Sequence, residues 1–159
     1  MTTLVAYASR QGCSEKSARL IQRMLGGGCD IVDVDIESDI ELVPYDTVII
    51  GGPIYYGKLR ASVRGFSEAY LPQLLQRRIG LYICCMEQGE RALQELREGF
   101  PSELLEHASA TGFFGGEIHM ERISFVERFI VRAVVRTEYN LTTFSEERVS
   151  RFLQRLFSA

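Results

Sequence analysis

Tryptophan is absent from this chain, and Lys16 and Lys58 are its only lysines, every other basic residue being arginine. Long apolar runs are missing too. The longest stretch without a charged residue runs from Thr47 to Gly57, well short of the roughly 20 apolar residues a spanning helix needs. There is no basic excess: Lys+Arg 18 against Asp+Glu 21 gives a net charge of −3, which argues against a general nucleic-acid binder. Cysteine is sparse. Cys13, Cys29, Cys84 and Cys85 do not form a disulfide framework and are expected to be thiols. Neither His107 nor His119 has Cys or His company at metal-ligand spacing, which argues against a structural zinc site. No basic residue precedes Arg10, and Leu4–Ala8 is too short for a signal-peptide core, so a cytoplasmic location is expected.

What is present alternates between two periodicities. Thr3–Ala8 is an apolar run of strand length. From Ser14 the spacing becomes helical: Ala18, Ile21 and Leu25 share one face, while Glu15, Arg19 and Arg23 step along another at i,i+4. Gly26, Gly27 and Gly28 close that helix. Asp30–Asp35 alternates apolar and acidic residues, as an edge or near-edge strand does. Asp46–Gly52 holds the β-branched run Val48-Ile49-Ile50, the mark of a strand covered on both faces. Val63, Phe66 and Tyr70 mark a second helix, Ile79–Cys85 a further strand, and Ala92, Leu93 and Leu96 a third helix. Ser109–Ile118 reads as a glycine-rich final strand, followed by helices at about Glu121–Val135 and Ser145–Leu156. The last presents Val149, Phe152, Leu153 and Leu156 on one stripe, with Glu146 and Glu147 in its positive first turn. This alternation predicts a three-layer, doubly wound α/β fold. One domain over residues 1–159 carries a five-stranded parallel sheet, with the ligand site at the carboxyl ends of the strands.

The turn from the first strand into the first helix is Ser9-Arg10-Gln11-Gly12-Cys13-Ser14. It offers hydroxyl, amide and thiol donors, a permissive glycine and the unpaired N–H groups of a helix start, which together suit a phosphate. Ser14 can also be read as a plain N-cap. The chain has neither G-x-x-x-x-G-K-[ST] nor a G-x-G-x-x-G after the first strand, so neither a P-loop nor a dinucleotide fingerprint is supported. Cys13 and Arg19 satisfy the C-x5-R spacing of a phosphatase. Glu15 would repel the dianion in that cradle, however, and no glycine lies between them.

The hexad Ser9–Ser14 resembles the FMN phosphate loop of flavodoxins, [ST]-x-T-G-x-[ST], with Gln11 in place of the middle threonine. After the third predicted strand, Gly51-Gly52-Pro53-Ile54-Tyr55-Tyr56-Gly57-Lys58 resembles the second flavin loop of that family. The stretch Tyr45–Phe66 and the late helix Phe125–Val135 resemble flavodoxin-domain proteins related to menaquinone-dependent protoporphyrinogen dehydrogenase. The resemblance implies a flavodoxin-like strand order of 2-1-3-4-5 and FMN as cofactor. It assigns Ser9, Arg10, Gln11, Gly12, Cys13 and Ser14 to the phosphate. It assigns Pro53, Ile54, Tyr55, Tyr56 and Gly57 to the ring, the tyrosines supplying the flat walls that no tryptophan can. In the family a comparable loop peptide reorients toward the reduced ring, a movement to which Gly57 is suited. Backbone N–H groups of Cys85, Met86 and Glu87 would hold the pyrimidine edge.

Cys84 and Cys85 are expected to be inert, with Cys84 in the core. The histidines assemble into no catalytic constellation, and a carrier of electrons needs no general base. Two features depart from an ordinary flavodoxin. Lys58, Arg60 and Arg64 follow the second loop where such carriers place acidic residues. The late helix sets Ile123, Phe125, Val126, Phe129, Ile130 and Val134 beside a basic row, Arg128, Arg132 and Arg136. That helix reads either as core packing with a solvated arginine face or as a docking surface. In the second case it would meet a redox partner protein, a porphyrin-like anion or the lipid headgroups at the inner face of the membrane. Three functions remain open: an FMN-binding electron-transfer protein, an FMN-dependent oxidoreductase of the protoporphyrinogen dehydrogenase type with a quinone acceptor, and a non-redox module that binds another phosphate ligand.

Overall fold

The computed structural model describes residues 2–9, 12–85, 89–118, 141–142 and 144–158. Strand β1 (Thr3–Tyr7) is buried along its whole length, because it lies between β2 (Cys29–Asp33) and β3 (Thr47–Tyr55), parallel to both. The antiparallel β4 (Lys58–Leu59) folds back on the end of β3, and β5 (Arg78–Cys84) and β6 (Ala110–Phe113) extend the parallel sheet. The order β2-β1-β3-β5-β6 is the expected doubly wound arrangement.

Alternation along each strand sends side chains to two separate cores. Val5, Tyr7, Ile49, Tyr82 and Cys84 face α1 (Cys13–Leu25) and the last helix, α6 (Glu146–Phe157). Leu4, Ala6, Val48, Ile50, Leu81, Ile83 and Cys85 face the opposite layer. That layer is built from α2 (Ala61–Ala69), α3 (Leu71–Leu74), α4 (Gly89–Gly99) and α5 (Ser102–His107). Helix α6 has the start its sequence announces: the Ser145 hydroxyl accepts from the Arg148 N–H at 3.3 Å, and Val149, Phe152, Leu153 and Leu156 are buried.

The crossing from β2 to β3 carries no helix. Strand β2 stops where the Asp33 carboxylate accepts the Asp35 N–H at 2.9 Å, a local turn that competes with the ladder. Leu42 then plugs into the core at 1% exposure, while Ile36 and Val43 point outward.

Two boundaries differ from expectation. The predicted strand Ser109–Ile118 ends at Phe113, and Gly115 turns the chain at φ 88. The short strand β7 (Glu117–Ile118) then pairs antiparallel with β8 (Leu141–Thr142) instead of joining the main sheet. The strand predicted over Asp46–Gly52 continues to Tyr55, so Pro53, Ile54 and Tyr55 are strand residues and not a loop. The expected helix at 121–135, with Arg128, Arg132 and Arg136, lies outside the described residues. Among the described residues, no helix is long and apolar enough to cross a membrane.

Candidate functional site at the carboxyl edge of the sheet

Because β1, β3 and β5 run parallel and in register, their carboxyl ends finish along one edge. Tyr7 pairs with Gly51 and Gly51 with Tyr82, and the Ala8 N–H donates to the Gly51 carbonyl at 3.3 Å. The segments after all three strands therefore emerge side by side.

After β1 the chain enters α1 through Gly12, the N-cap residue, at φ 89 and ψ −8. That left-handed conformation is open to glycine and strained for a β-branched residue. Among the described residues no side chain caps this helix, whose opening N–H groups have no intrahelical partners. Ser14 is not the cap; it is the second helical residue and is fully buried. The Ser14 and Ser9 hydroxyl oxygens are both buried and have no hydrogen-bond partner among the described residues. A buried hydroxyl left unpaired costs about 1–3 kcal/mol, and two of them at this helix start make a cradle suited to an acceptor. A phosphate monoester fits this donor set: it is anionic and accepts at several oxygens. Arg10 and Gln11 lie outside the described residues.

Two hydroxyls reach the same turn from behind. Tyr82 on β5 donates to the Ser14 carbonyl at 3.0 Å, and Ser17 donates to the Cys13 carbonyl at 2.9 Å. Burial pushes the Tyr82 phenol well above its ordinary pKa, so it stays a donor. Its ring stacks on Phe114 with centroids 4.8 Å apart. Neither Tyr82 nor Ser17 stood out in the sequence. The available signal was a lone hydroxyl in an otherwise apolar strand.

After β3 the chain makes a tight hairpin into β4 through Tyr56 (φ 52) and Gly57 (φ 77). Positive φ at both central residues is the signature of a type I′ turn, which normally takes Asn or Gly at the first position. Tyr56 is the one described non-glycine residue at positive φ, and it is 61% exposed. An aromatic side chain held in strain and turned to solvent is poorly explained by stability alone. Tyr55 meets it edge to face, with ring centroids 4.5 Å apart. Pro53 and Ile54 lead into the hairpin from β3, and the Pro53 carbonyl accepts the Arg60 N–H at 3.2 Å.

After β5, Cys84 and Cys85 fall in opposite cores, and all four cysteines are buried thiols outside any disulfide. The Cys85 N–H, expected at the pyrimidine edge, donates to the Gly115 carbonyl at 3.0 Å. Met86 and Glu87 lie outside the described residues. Cys13, 4% exposed, has its sulfur 3.8 Å from the Gly115 carbonyl, and Arg19 is ion-paired to Glu15 at 2.8 Å. Those two residues therefore form no phosphatase cradle.

The cations after the hairpin are largely engaged. Arg60 pairs with Asp35 at 2.8 Å. Arg64 pairs with Glu68 at 2.8 Å and donates to the Glu98 and Gly99 carbonyls at 2.9 Å each. Lys58 is exposed. A groove of about 300 Å³ runs under the hairpin between Lys58, Leu59, Arg64 and Glu95. His107 sits at the opposite end of the sheet, its Nε2 2.7 Å from the carbonyl of Arg77 just before β5. His119 lies outside the described residues. Among the described residues no group of His, Cys, Asp or Glu is placed to hold a metal.

A family model described as flavodoxin domain matches residues 4–144. No curated protein matches the sequence significantly. Among solved structures, the chain is similar to the Streptococcus pneumonia TIGR4 flavodoxin, with TM-score 0.59 and 12% identity over 98% of this chain and 95% of that one. It is similar to oxidised Flavodoxin 1 from Bacillus cereus, with TM-score 0.57 and 17% identity over 98% and 95%. Against rubredoxin oxygen:oxidoreductase from Desulfovibrio gigas the TM-score is 0.54 and the identity 15%; the match covers 99% of this chain and 37% of that protein's length. At these identities the likeness is one of fold.

Proposed function

This chain belongs to the flavodoxin-domain family, and from that premise we propose that it binds FMN at the carboxyl edge of its sheet and transfers electrons. The observation that carries this reading is the pair of hydroxyls of Ser9 and Ser14, buried and partnerless among the described residues, at the start of α1. The Ser9 and Ser14 hydroxyls and the opening amides of α1 would take the phosphate, with Gly12 giving the backbone its close approach. Arg10 and Gln11 are proposed to complete that loop. Tyr55 and Tyr56 would supply flat walls for the ring, and Gly57 would let the hairpin peptide turn. The Cys85–Glu87 segment is proposed to meet the pyrimidine edge. Bound FMN supplies one- and two-electron redox chemistry, so the chain's own residues have only to bind, orient and shield it.

The test is titration of the apoprotein with FMN, followed by flavin fluorescence. Saturable binding is expected, and Gly12→Val, which forces a β-branched residue to φ 89, should weaken it by about tenfold or more. Wild-type affinity in that variant, with folding checked by circular dichroism, would refute the loop assignment.

A second reading keeps the same cofactor but adds turnover: an oxidoreductase of the protoporphyrinogen dehydrogenase type with a quinone acceptor. The groove under the hairpin favours it, since Lys58, Arg64, Glu95 and Glu98 border room for a second small molecule. Oxidation of protoporphyrinogen by the flavin-loaded protein with a quinone, above the rate of free flavin, would select this reading. Its absence would leave the carrier, whose proposed partner is a redox protein. The proposed setting is the cytoplasm, with Arg128, Arg132 and Arg136 as a proposed contact for a partner or a membrane surface.

A further inference from the structure

The two hydroxyls behind the first turn of α1 have a feature in common. The Ser14 carbonyl and the Glu15 N–H are the two ends of one peptide group, and the Cys13 carbonyl and the Ser14 N–H are the two ends of the one before it. Tyr82 donates to the first of these carbonyls and Ser17 to the second. The N–H groups of the same amides lie in the first turn of the helix and have no intrahelical partner. A hydrogen bond to a carbonyl polarises its peptide group and strengthens the N–H as a donor, by about 10–30% per bond.

We propose that Tyr82 and Ser17 are positioning residues for the phosphate site, acting through the peptide groups of the first turn of α1 without touching the ligand. The inference rests on the FMN reading given above. A serine that bonds to the carbonyl four residues back is common in helices, and Ser17 alone would be weak support. Tyr82 is another matter. It comes from β5, 68 residues away, and crosses the core to reach that carbonyl. It is fully buried, and Gly51 on the neighbouring strand leaves the space its ring occupies: a Cβ at Gly51 would lie 1.9 Å from the Tyr82 Cζ. A phenylalanine would fill the same volume with no hydroxyl to satisfy. What the hydroxyl adds is a fixed, charge-neutral hold on the amide next to the site, anchored by stacking on Phe114 and edge-to-face contact with Phe152.

The experiment compares FMN with riboflavin, which carries the same ring and no phosphate, in the full-length wild type, Tyr82→Phe and Ser17→Ala. Tyr82→Phe should weaken FMN about twofold to fourfold, a 10–30% share of a charge-assisted hydrogen bond to phosphate, and leave riboflavin affinity unchanged. The phosphorus resonance of bound FMN should shift in the same variant. Ser17→Ala should act in the same direction, and it decides the matter if Tyr82→Phe does not fold. A variant that weakens both ligands equally, or neither, overturns the positioning role while the FMN site stands. Wild-type protein that binds neither compound, or does not prefer FMN, overturns the phosphate site and this inference with it.

Discussion

Gly51 is the most exacting position that the structure exposes. It lies in β3 beside Tyr82, and a Cβ added there would sit 1.9, 2.1 and 2.3 Å from three atoms of the Tyr82 ring. Gly51 has an ordinary strand conformation, so alanine is backbone-compatible. On entropy alone the change would stabilise the fold by about 0.4–1 kcal/mol. Sterics must reverse that sign. The ring cannot withdraw: it is fully buried, stacked on Phe114 at 4.8 Å and 20°, and tied through its hydroxyl to the Ser14 carbonyl. Overpacking of a closed core costs about 1–3 kcal/mol, and a collision this deep with a fixed ring belongs at the upper end. For a domain of this length about 3 kcal/mol corresponds to a fall of about 6–12 °C in Tm. The assay is thermal and urea unfolding of the apoprotein for Gly51→Ala, Tyr82→Leu and the double variant. With the ring gone, Gly51→Ala should cost less than about 1 kcal/mol, a coupling of about 2 kcal/mol between neighbours. A Gly51→Ala protein that melts within a degree of wild type, or loses as much in the Tyr82→Leu background, would refute the steric argument.

Tyr56→Asn should hold or raise apoprotein stability, because asparagine tolerates the positive φ at the hairpin tip that tyrosine adopts under strain. The same variant should weaken FMN and riboflavin alike, since what it removes is a wall for the ring; unchanged affinity for both would remove Tyr56 from the site. The Tyr45 phenol, which donates to the Asp30 carboxylate at 2.7 Å, is pushed up to about 12, first by that hydrogen bond and then by burial. Its folded pKa lies above the unfolded value of about 10, so its contribution is complete below pH 10 and is lost as pH rises to 12. Stability should therefore fall more steeply across that window in the wild type than in Tyr45→Phe. Parallel urea-unfolding curves across the window would show that the hydrogen bond does not matter.

The parallel sheet was legible because its strands are covered on both faces and read as unbroken apolar runs: Val48, Ile49 and Ile50 could sit nowhere else. Helix α6 was legible, since the glutamates of its first turn and the stripe ending at Leu156 point to the same span, with Ser145 proving to be its N-cap. The hairpin was not. Proline and glycine in Gly51–Gly57 suggest a loop, whereas Pro53 is tolerated at the end of β3 and Tyr56 takes a turn position that local preference gives to asparagine. Helix α5 was missed because a six-residue helix is too short for its periodicity to register. At the candidate site, local spacing was enough to put Ser9, Gly12 and Ser14 at the turn from β1 into α1. Tyr82 and Ser17 were not, because their roles depend on which carbonyl the fold places opposite each hydroxyl.

Among the described residues strand β2 ends the sheet, with no neighbour on its outer side in the strand order. An open margin of this kind is a template on which a stray chain can continue the ladder. Asp30 and Asp33 lie on that margin, and Asp35, Glu37, Asp39 and Glu41 follow in the helix-free crossing. Two molecules approaching margin to margin would bring these carboxylates together before any backbone groups could meet. Like charges along this margin thus oppose edge-to-edge pairing of two copies.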